Sequence, residues 1–338
     1  MNLPLHSYER LFCSISTLIA VSVYFTPQIA PDLLPKSKEY SNTIQLVDLS
    51  TKNLLNNNFD SLTIPLKRAG RLIMIEATVD DEEGNLIFDT GATNLVLNRT
   101  YFRNHVVSDD ITSKGITGSV GKVEAITVDR LFISDLSFKK VMANLADLGH
   151  IENKRGVKIL GLFGFNLFRD FEILIDVHNG VLQLHRIDKK GERVHPNAAF
   201  KLDYTQKMDV VNNIVLIRGV VGGKSVRFCL DTGAETNAIS SDCPNAVLKT
   251  ITINRKSDLH GAGSVINQVL FGTMNDFVLG DTHLHRMETI ITNLDYLNEA
   301  YGVHIGGMLG FNFLMKGIIC INFEKSQFGI CYNKSMDL

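Results

Sequence analysis

Ile214–Asp231 reads IVLIRGVVGGKSVRFCLD and runs on into Thr232-Gly233-Ala234. An eight-residue apolar run, the turn Gly222-Gly-Lys-Ser225, a shorter apolar run and an aspartate describe a β-hairpin that ends on an acid. The same sentence is written 142 residues earlier: Leu72–Asp89 reads LIMIEATVDDEEGNLIFD and aligns without a gap. Its turn is Asp80-Asp-Glu-Glu-Gly-Asn85, and Thr90-Gly91-Ala92 follows the aspartate. Both halves therefore carry Asp-Thr-Gly-Ala at the end of an apolar strand.

A second pair of blocks lies further on in each half, now 146 residues apart. Gly161-Leu-Phe-Gly-Phe-Asn-Leu-Phe168 corresponds to Gly307-Met-Leu-Gly-Phe-Asn-Phe-Leu314. A hairpin pattern follows each, Phe171–His185 around His178-Asn-Gly and Gly317–Cys331 around Glu324-Lys-Ser. Between the blocks Gly118-Ser-Val120 matches Gly263-Ser-Val265. The order of elements is the same in both halves, which is the mark of a duplication.

Short strands rich in β-branched and aromatic residues, separated by turn signals, predict an all-β class. Helical periodicity is scarce: single turns are expected after Phe165 and Phe311, and a short helix around Asn293–Tyr301. The 338 residues suit two lobes, and 45 % apolar content against 21 % charged excludes a disordered chain. With 34 basic and 36 acidic residues the net charge is −2, which offers no electrostatic footprint for nucleic acid.

The two acids have a physical use if the halves meet about a two-fold axis. Asp89 and Asp231 would then share one site, and two carboxylates a few ångströms apart cannot both ionise cheaply. Such a pair can bind a water, take its proton with the ionised member and protonate a carbonyl with the other. Gly91 and Gly233 let backbone approach the pair closely. Thr90 and Thr232 can tie each loop to the other by hydroxyl bonds. Two turns inherited by duplication, with carboxylates bonded to local amides, would read the same but need neither the matched acids nor the matched glycines.

With these residues in place, the chain resembles the aspartic peptidases: a single-chain, bilobal layout as in pepsins, with local motifs closer to retropepsins. The resemblance spans about residues 61 to 335 and implies two pseudo-symmetric β-barrel-like lobes with a cleft between them. It implies Asp89 and Asp231 as catalytic, with Thr90, Gly91, Ala92, Thr232, Gly233 and Ala234 supporting the loops. A hydrophobic-hydrophobic-Gly strand packs behind each loop in the family, matched here by Leu162-Phe163-Gly164 and Met308-Leu309-Gly310. The family's flap lies about 25 residues past the aspartate. Gly115, Ile116, Gly118 and Gly121 occupy that place in the first half, Gly261 and Gly263 in the second. Two flap candidates suggest a retropepsin-like pair fused into one chain. Neither carries the tyrosine of the pepsin flap, and the fourth loop residue is Ala92 or Ala234 where most pepsins have Ser or Thr. Losing those hydroxyl donors is expected to move activity toward weakly acidic pH.

The implied activity is an aspartic endopeptidase that needs no cofactor and no metal and acts on extended polypeptide, as a monomer because one chain completes the site. The alternative is a catalytically silent peptide-binding or assembly protein on the same scaffold. Gly222-Gly-Lys-Ser225 mimics the end of a phosphate loop, but Arg218 stands where its first glycine should be, and a strand follows. His283 and His285 share a strand face with no third ligand placed beside them, which reads as a solvated face.

Residues 1–30 contain the apolar run Leu11–Phe25, about 22 Å as a helix and short of a bilayer's roughly 30 Å. A secretory signal peptide, a signal anchor or a buried helix all fit, and the first of these implies an exported protein, meeting a membrane only through this segment. Residues 31–60 read as a leader that could act as a propeptide, 61–188 as the N-terminal lobe, 189–199 as the connection and 200–338 as the C-terminal lobe. Cys13 lies in the first segment. Cys320 and Cys331 flank the last hairpin and could face each other across it, although free thiols are the reading for all four cysteines of the second half.

Overall fold

The structure, a computed structural model, describes residues 22–24, 59–92, 94–104, 109–115, 118–195, 201–259 and 267–333. The apolar run, the leader up to residue 58, Cys13, Ile116, Gly261 and Gly263 lie outside them, apart from a short strand Ser22–Tyr24 within the apolar run.

The fold is the all-β, bilobal arrangement expected. In the first lobe Ile159–Phe163 lies between Glu82–Phe88, to which it is parallel, and Leu95–Asn98, to which it is antiparallel. In the second lobe Gly307–Leu309 lies in the same way between Lys224–Leu230 and Asn237–Ser240. Each central strand thus separates the strand before an Asp-Thr-Gly-Ala loop from the strand after it, so the loop arcs over its end. Further strands widen these units into a nine-stranded and a ten-stranded sheet, and a Leu72–Val79 pairing with Gly118–Ile133 curls the first toward a barrel.

The near-continuous apolar strands follow from burial on both faces. Along Leu72–Val79, Leu72 and Met74 enter a small cluster beneath the Asp-Thr-Gly-Ala loop, while Ile73, Ile75, Ala77 and Val79 enter the main core. Ile214 and Leu216 against Val215, Ile217 and Val221 repeat this division in the second lobe. A strand alternates faces with a period of two, so two cores require an unbroken apolar run. Both hairpin turns are two residues long. Gly222 and Gly223 have φ of +55° and +70°, the geometry of a type I′ turn. The first turn is tighter than the expected Asp80–Asn85 span, because Val79 already pairs with Glu82. Asp80 takes φ of +50° and its carboxylate accepts the Asp129 and Arg130 amides, which closes the turn early.

A six-stranded sheet joins the lobes. Ser61–Pro65, Val181–Arg186 and Phe171–Asp176 come from the first half, Gly317–Asn322, Gln327–Tyr332 and Tyr204–Lys207 from the second. The strand Val181–Arg186 ends before the 189–199 segment begins, and within that segment Arg193 bonds Glu172. Short helices follow Gly164 and Gly310, at Phe165–Phe168 and Phe311–Leu314, as expected. Asp295–Tyr301 is helical too, and so is Gly149–Arg155, which the sequence reading missed. Among the described cysteines all four are free thiols. Cys320 lies opposite Gly329 and Cys331 opposite Ile318, so the two do not face each other directly.

Candidate active site

The two Asp-Thr-Gly-Ala loops meet at the seam between the lobes. The Asp89 amide donates to the Phe163 carbonyl and the Asp231 amide to the Leu309 carbonyl, both at 2.9 Å, so each acid starts from the end of its hydrophobic-hydrophobic-Gly strand. A Cβ on Gly164 would fall 2.0 Å from the Ala92 carbonyl oxygen, and one on Gly310 would fall 2.5 Å from that of Ala234. Glycine is required at both places for the loop to lie against the strand.

The loops are locked together reciprocally. The Thr90 amide donates to the Thr232 hydroxyl, and the Thr232 amide to the Thr90 hydroxyl, both at 3.0 Å. The Thr90 hydroxyl donates to the Leu230 carbonyl at 2.8 Å and the Thr232 hydroxyl to the Phe88 carbonyl at 2.6 Å. Both threonines are fully buried, so these four bonds satisfy groups that water does not reach.

Asp89 and Asp231 are each 3 % exposed and hydrogen-bond to one another. Each accepts from the glycine two residues on, Gly91 to Asp89 Oδ1 and Gly233 to Asp231 Oδ1, both at 2.9 Å. The glycines also face the opposite acid: a Cβ on Gly233 would fall 2.6 Å from the Asp89 carboxyl carbon, and one on Gly91 would fall 3.0 Å from that of Asp231. Burial pushes Asp89 well above the usual carboxylate range, reinforced by the charge of Asp231 and the bond to it. Burial likewise pushes Asp231 up to about 6, opposed by the bond from Asp89 and by the Gly233, Ala234 and Gly91 amides. Two buried, coupled acids take up their protons in two separate steps, both raised above the ordinary carboxylate range.

The other expected residues fall as follows. Ala92 and Ala234 are buried in the clusters beneath their own loops. Gly115 and Gly118 face each other across the end of the hairpin formed by Asp109–Gly115 and Gly118–Ile133, and Gly121 lies opposite Ser113. The second hairpin, Ile251–Leu259 with Asn267–Met274, pairs out to Leu259 and Asn267. Gly222-Gly-Lys-Ser225 is a hairpin turn, and His283 and His285 are exposed with their rings stacked.

The sequence reading missed the residues that brace the loops from behind. Gly149–Arg155 and Asp295–Tyr301 occupy corresponding places in the two halves, each ended by a glycine at φ of +64°. Arg155, the last residue of the first helix, forms an ion pair with Glu235 just past the second Asp-Thr-Gly-Ala loop. Tyr301, the last residue of the other, donates its hydroxyl to the Gly91 carbonyl of the first loop at 3.2 Å. The signal was available: the 146-residue spacing of the Gly-Phe-Asn blocks also aligns Gly156 with Gly302.

A two-lobed β fold with two bonded acids at its seam is the arrangement that the resemblance to aspartic peptidases implies. The aspartyl protease family profile matches residues 217–313, a span that takes in Asp231, Tyr301 and Gly310. Among solved structures the chain is similar to the aspartic proteinase from Irpex lacteus, with 13 % identity and a TM-score of 0.49 over 81 % of this chain and 98 % of that one. It is also similar to basic 7S globulin from soybean, at 9 % identity and a TM-score of 0.43 over 80 % and 94 % of the two chains. No curated protein matches the sequence.

Proposed function

We propose that the protein is an aspartic endopeptidase that hydrolyses peptide bonds with a water held between Asp89 and Asp231. The observation that carries this reading is the hydrogen-bonded contact of two buried carboxyls, each set by a loop that the other lobe holds. The ionised acid takes a proton from the water as its oxygen attacks the peptide carbonyl carbon. The protonated acid gives its proton to the carbonyl oxygen, and a tetrahedral diol results. The acid that took the water's proton passes it to the amide nitrogen while a diol hydroxyl gives its proton to the other acid. The C–N bond breaks, acid and amine leave, and the pair again holds one proton.

Extended polypeptide suits the cleft because the hairpin that ends at Gly115 and Gly118 offers backbone groups for strand addition. One chain supplies both acids, so a monomer suffices. Export by the 1–30 segment is part of the proposal, and N-terminal sequencing of the mature protein tests it. The function is tested by incubation with denatured casein and a peptide library between pH 3 and 7. Cleavage is expected, and it should be lost in Asp89→Asn and with the transition-state mimic pepstatin. A folded protein inactive throughout that range would instead be a peptide-binding protein on the same scaffold.

A further inference from the structure

The two bracing contacts differ in kind, and the difference falls on the catalytic loops. Arg155 and Tyr301 end corresponding helices, yet Arg155 meets the Glu235 side chain while Tyr301 meets the Gly91 main chain. The Gly91 carbonyl and the Ala92 amide belong to one peptide unit. That amide donates to the Asp89 carbonyl at 3.0 Å and also faces the Asp89 carboxylate. Tyr301 is 0 % exposed and packed with Cys229, Ala234, Leu294 and Met308, so its ring is fixed. We propose that Tyr301 is a positioning residue for the opposite lobe's catalytic loop, its hydroxyl holding and polarising the Gly91–Ala92 peptide whose amide addresses Asp89.

The physical argument is cooperative. A donor at one end of a peptide unit strengthens the donor at its other end, most of all where water is absent. The Ala92 amide favours the charged form of Asp89, so losing the tyrosine hydroxyl should make the acid harder to ionise. The titratable groups around Asp89 are Asp231 on the facing loop, Cys229 on the strand leading to it, and Tyr301 itself. The strand behind Asp89, Ile159–Phe163, brings none, and Arg155 and Glu235 neutralise each other at the far side of loop two. Cys229 is a thiol that burial keeps protonated, so it adds no charge at weakly acidic pH.

The inference rests on the peptidase reading, and its test separates the two. The pH dependence of kcat and kcat/KM is measured for the wild type, Tyr301→Phe and Tyr332→Phe. Tyr332→Phe is the matched control, since the Tyr332 hydroxyl also donates to a carbonyl in the second lobe, that of Leu279, at 3.1 Å and away from the loops. Tyr301→Phe is expected to lower kcat about tenfold with KM within about twofold, and to move the acid limb up by about half a pH unit. The control should keep the wild-type profile. Placing 3-fluorotyrosine at position 301 keeps the shape, sharpens the donor and should move the limb the other way.

Carbon-13 titration of the aspartate carboxyls in the same variants reads the displacement without turnover. A displaced titration in an inactive wild type would end the peptidase reading and leave the positioning role standing. An unchanged profile in Tyr301→Phe, or the same change in the control, would overturn the proposal. So would a rise in kcat/KM, because the hydroxyl would then be competing with substrate for the Gly91 carbonyl.

Discussion

Leu174 lies directly opposite Cys320 where the two halves join, the pair sitting mid-way along the antiparallel register of Glu172–Ile175 with Ile319–Asn322. By the 146-residue spacing of the Gly-Phe-Asn blocks, each is the other's counterpart. A local two-fold axis therefore passes between them, and the reciprocal Thr90 and Thr232 bonds respect the same relation. The sheet sets how the lobes face each other, and the loops inherit that facing. Glu172 is tied to Arg193 and Asn322, so the far end of the register is fixed by charge as well as backbone.

Cys320 at this axis is nearly closed off, and burial pushes its thiol up to about 12. Cys229, under the Asp231 loop, is held well above the ordinary thiol value by burial first and then by both acids. Thiolate is the reactive form, so neither should react in the folded protein near neutral pH. Alkylation followed by peptide mass mapping should leave Cys229 and Cys320 unmodified until denaturant is added. Labelling of Cys320 in the native state would mean that the interlobe sheet opens.

The threonine lock predicts a large loss from a near-isosteric change. Thr90→Val removes a donor from the Leu230 carbonyl and an acceptor from the Thr232 amide, leaving two buried backbone groups unmatched. Each such group costs about 1–3 kcal/mol, so a loss of about 2–4 kcal/mol is expected, and a similar one for Thr232→Val. The check is the midpoint of urea unfolding at unchanged m-value. A loss under about 0.5 kcal/mol would show that the lobes do not depend on these bonds.

Most of the site was readable because its signals are local and repeated. Asp-Thr-Gly-Ala and the Leu162-Phe163-Gly164 and Met308-Leu309-Gly310 motifs are tight steric solutions, in which glycine is the one residue that fits. Two copies in order gave the symmetry, and symmetry placed Asp89 beside Asp231. What escaped is information carried by single residues far apart in the chain. Gly149–Arg155 buries only Ile151 and so shows no helical periodicity. Arg155 and Glu235 are 80 residues apart, and nothing local to either marks the other.

That ion pair can be tested for what it does. The side chains of Arg155 and Glu235 are 13 % and 11 % exposed, so neither is well hydrated. Arg155→Met should leave a carboxylate short of its main counter-charge beside loop two and cost about 3 kcal/mol. Adding Glu235→Leu should restore most of that loss, because a well-packed apolar pair replaces buried ions at little cost. The four corners of this cycle are compared by thermal unfolding. Equal and additive losses in both single variants would show that the two charges act independently.

Ala92 and Ala234 bear on the acid limb. Both side chains are buried and supply no hydroxyl to the carboxyls. Serine at each place would add a donor that favours the charged form, so the Ala92→Ser/Ala234→Ser protein should ionise its pair more readily. The acid limb of kcat/KM is expected to move down by about half a unit or more. With alanines in place the maximum should lie in the weakly acidic range, and a wild-type maximum below about pH 3 would contradict the assignment.

The two buried acids should weaken the fold at neutral pH. Both have folded-state pKa values above the unfolded carboxylate value, one of them at about 6, and burial is the main cause. Between the unfolded value near 4 and the folded one, the native state binds more protons than the unfolded chain. Their contribution to stability is therefore complete below about pH 4 and fades as pH rises through 6. Asn at position 89 keeps the shape, cannot ionise, and leaves Asp231 without a buried like charge. Asp89→Asn should be inactive yet unfold several degrees higher than the wild type at pH 7, about 2–4 °C for a lobed chain of this size. The gap should close near pH 4. Differential scanning calorimetry at the two pH values decides it: a variant less stable than the wild type at pH 7 would mean that the carboxyls do not share a buried site.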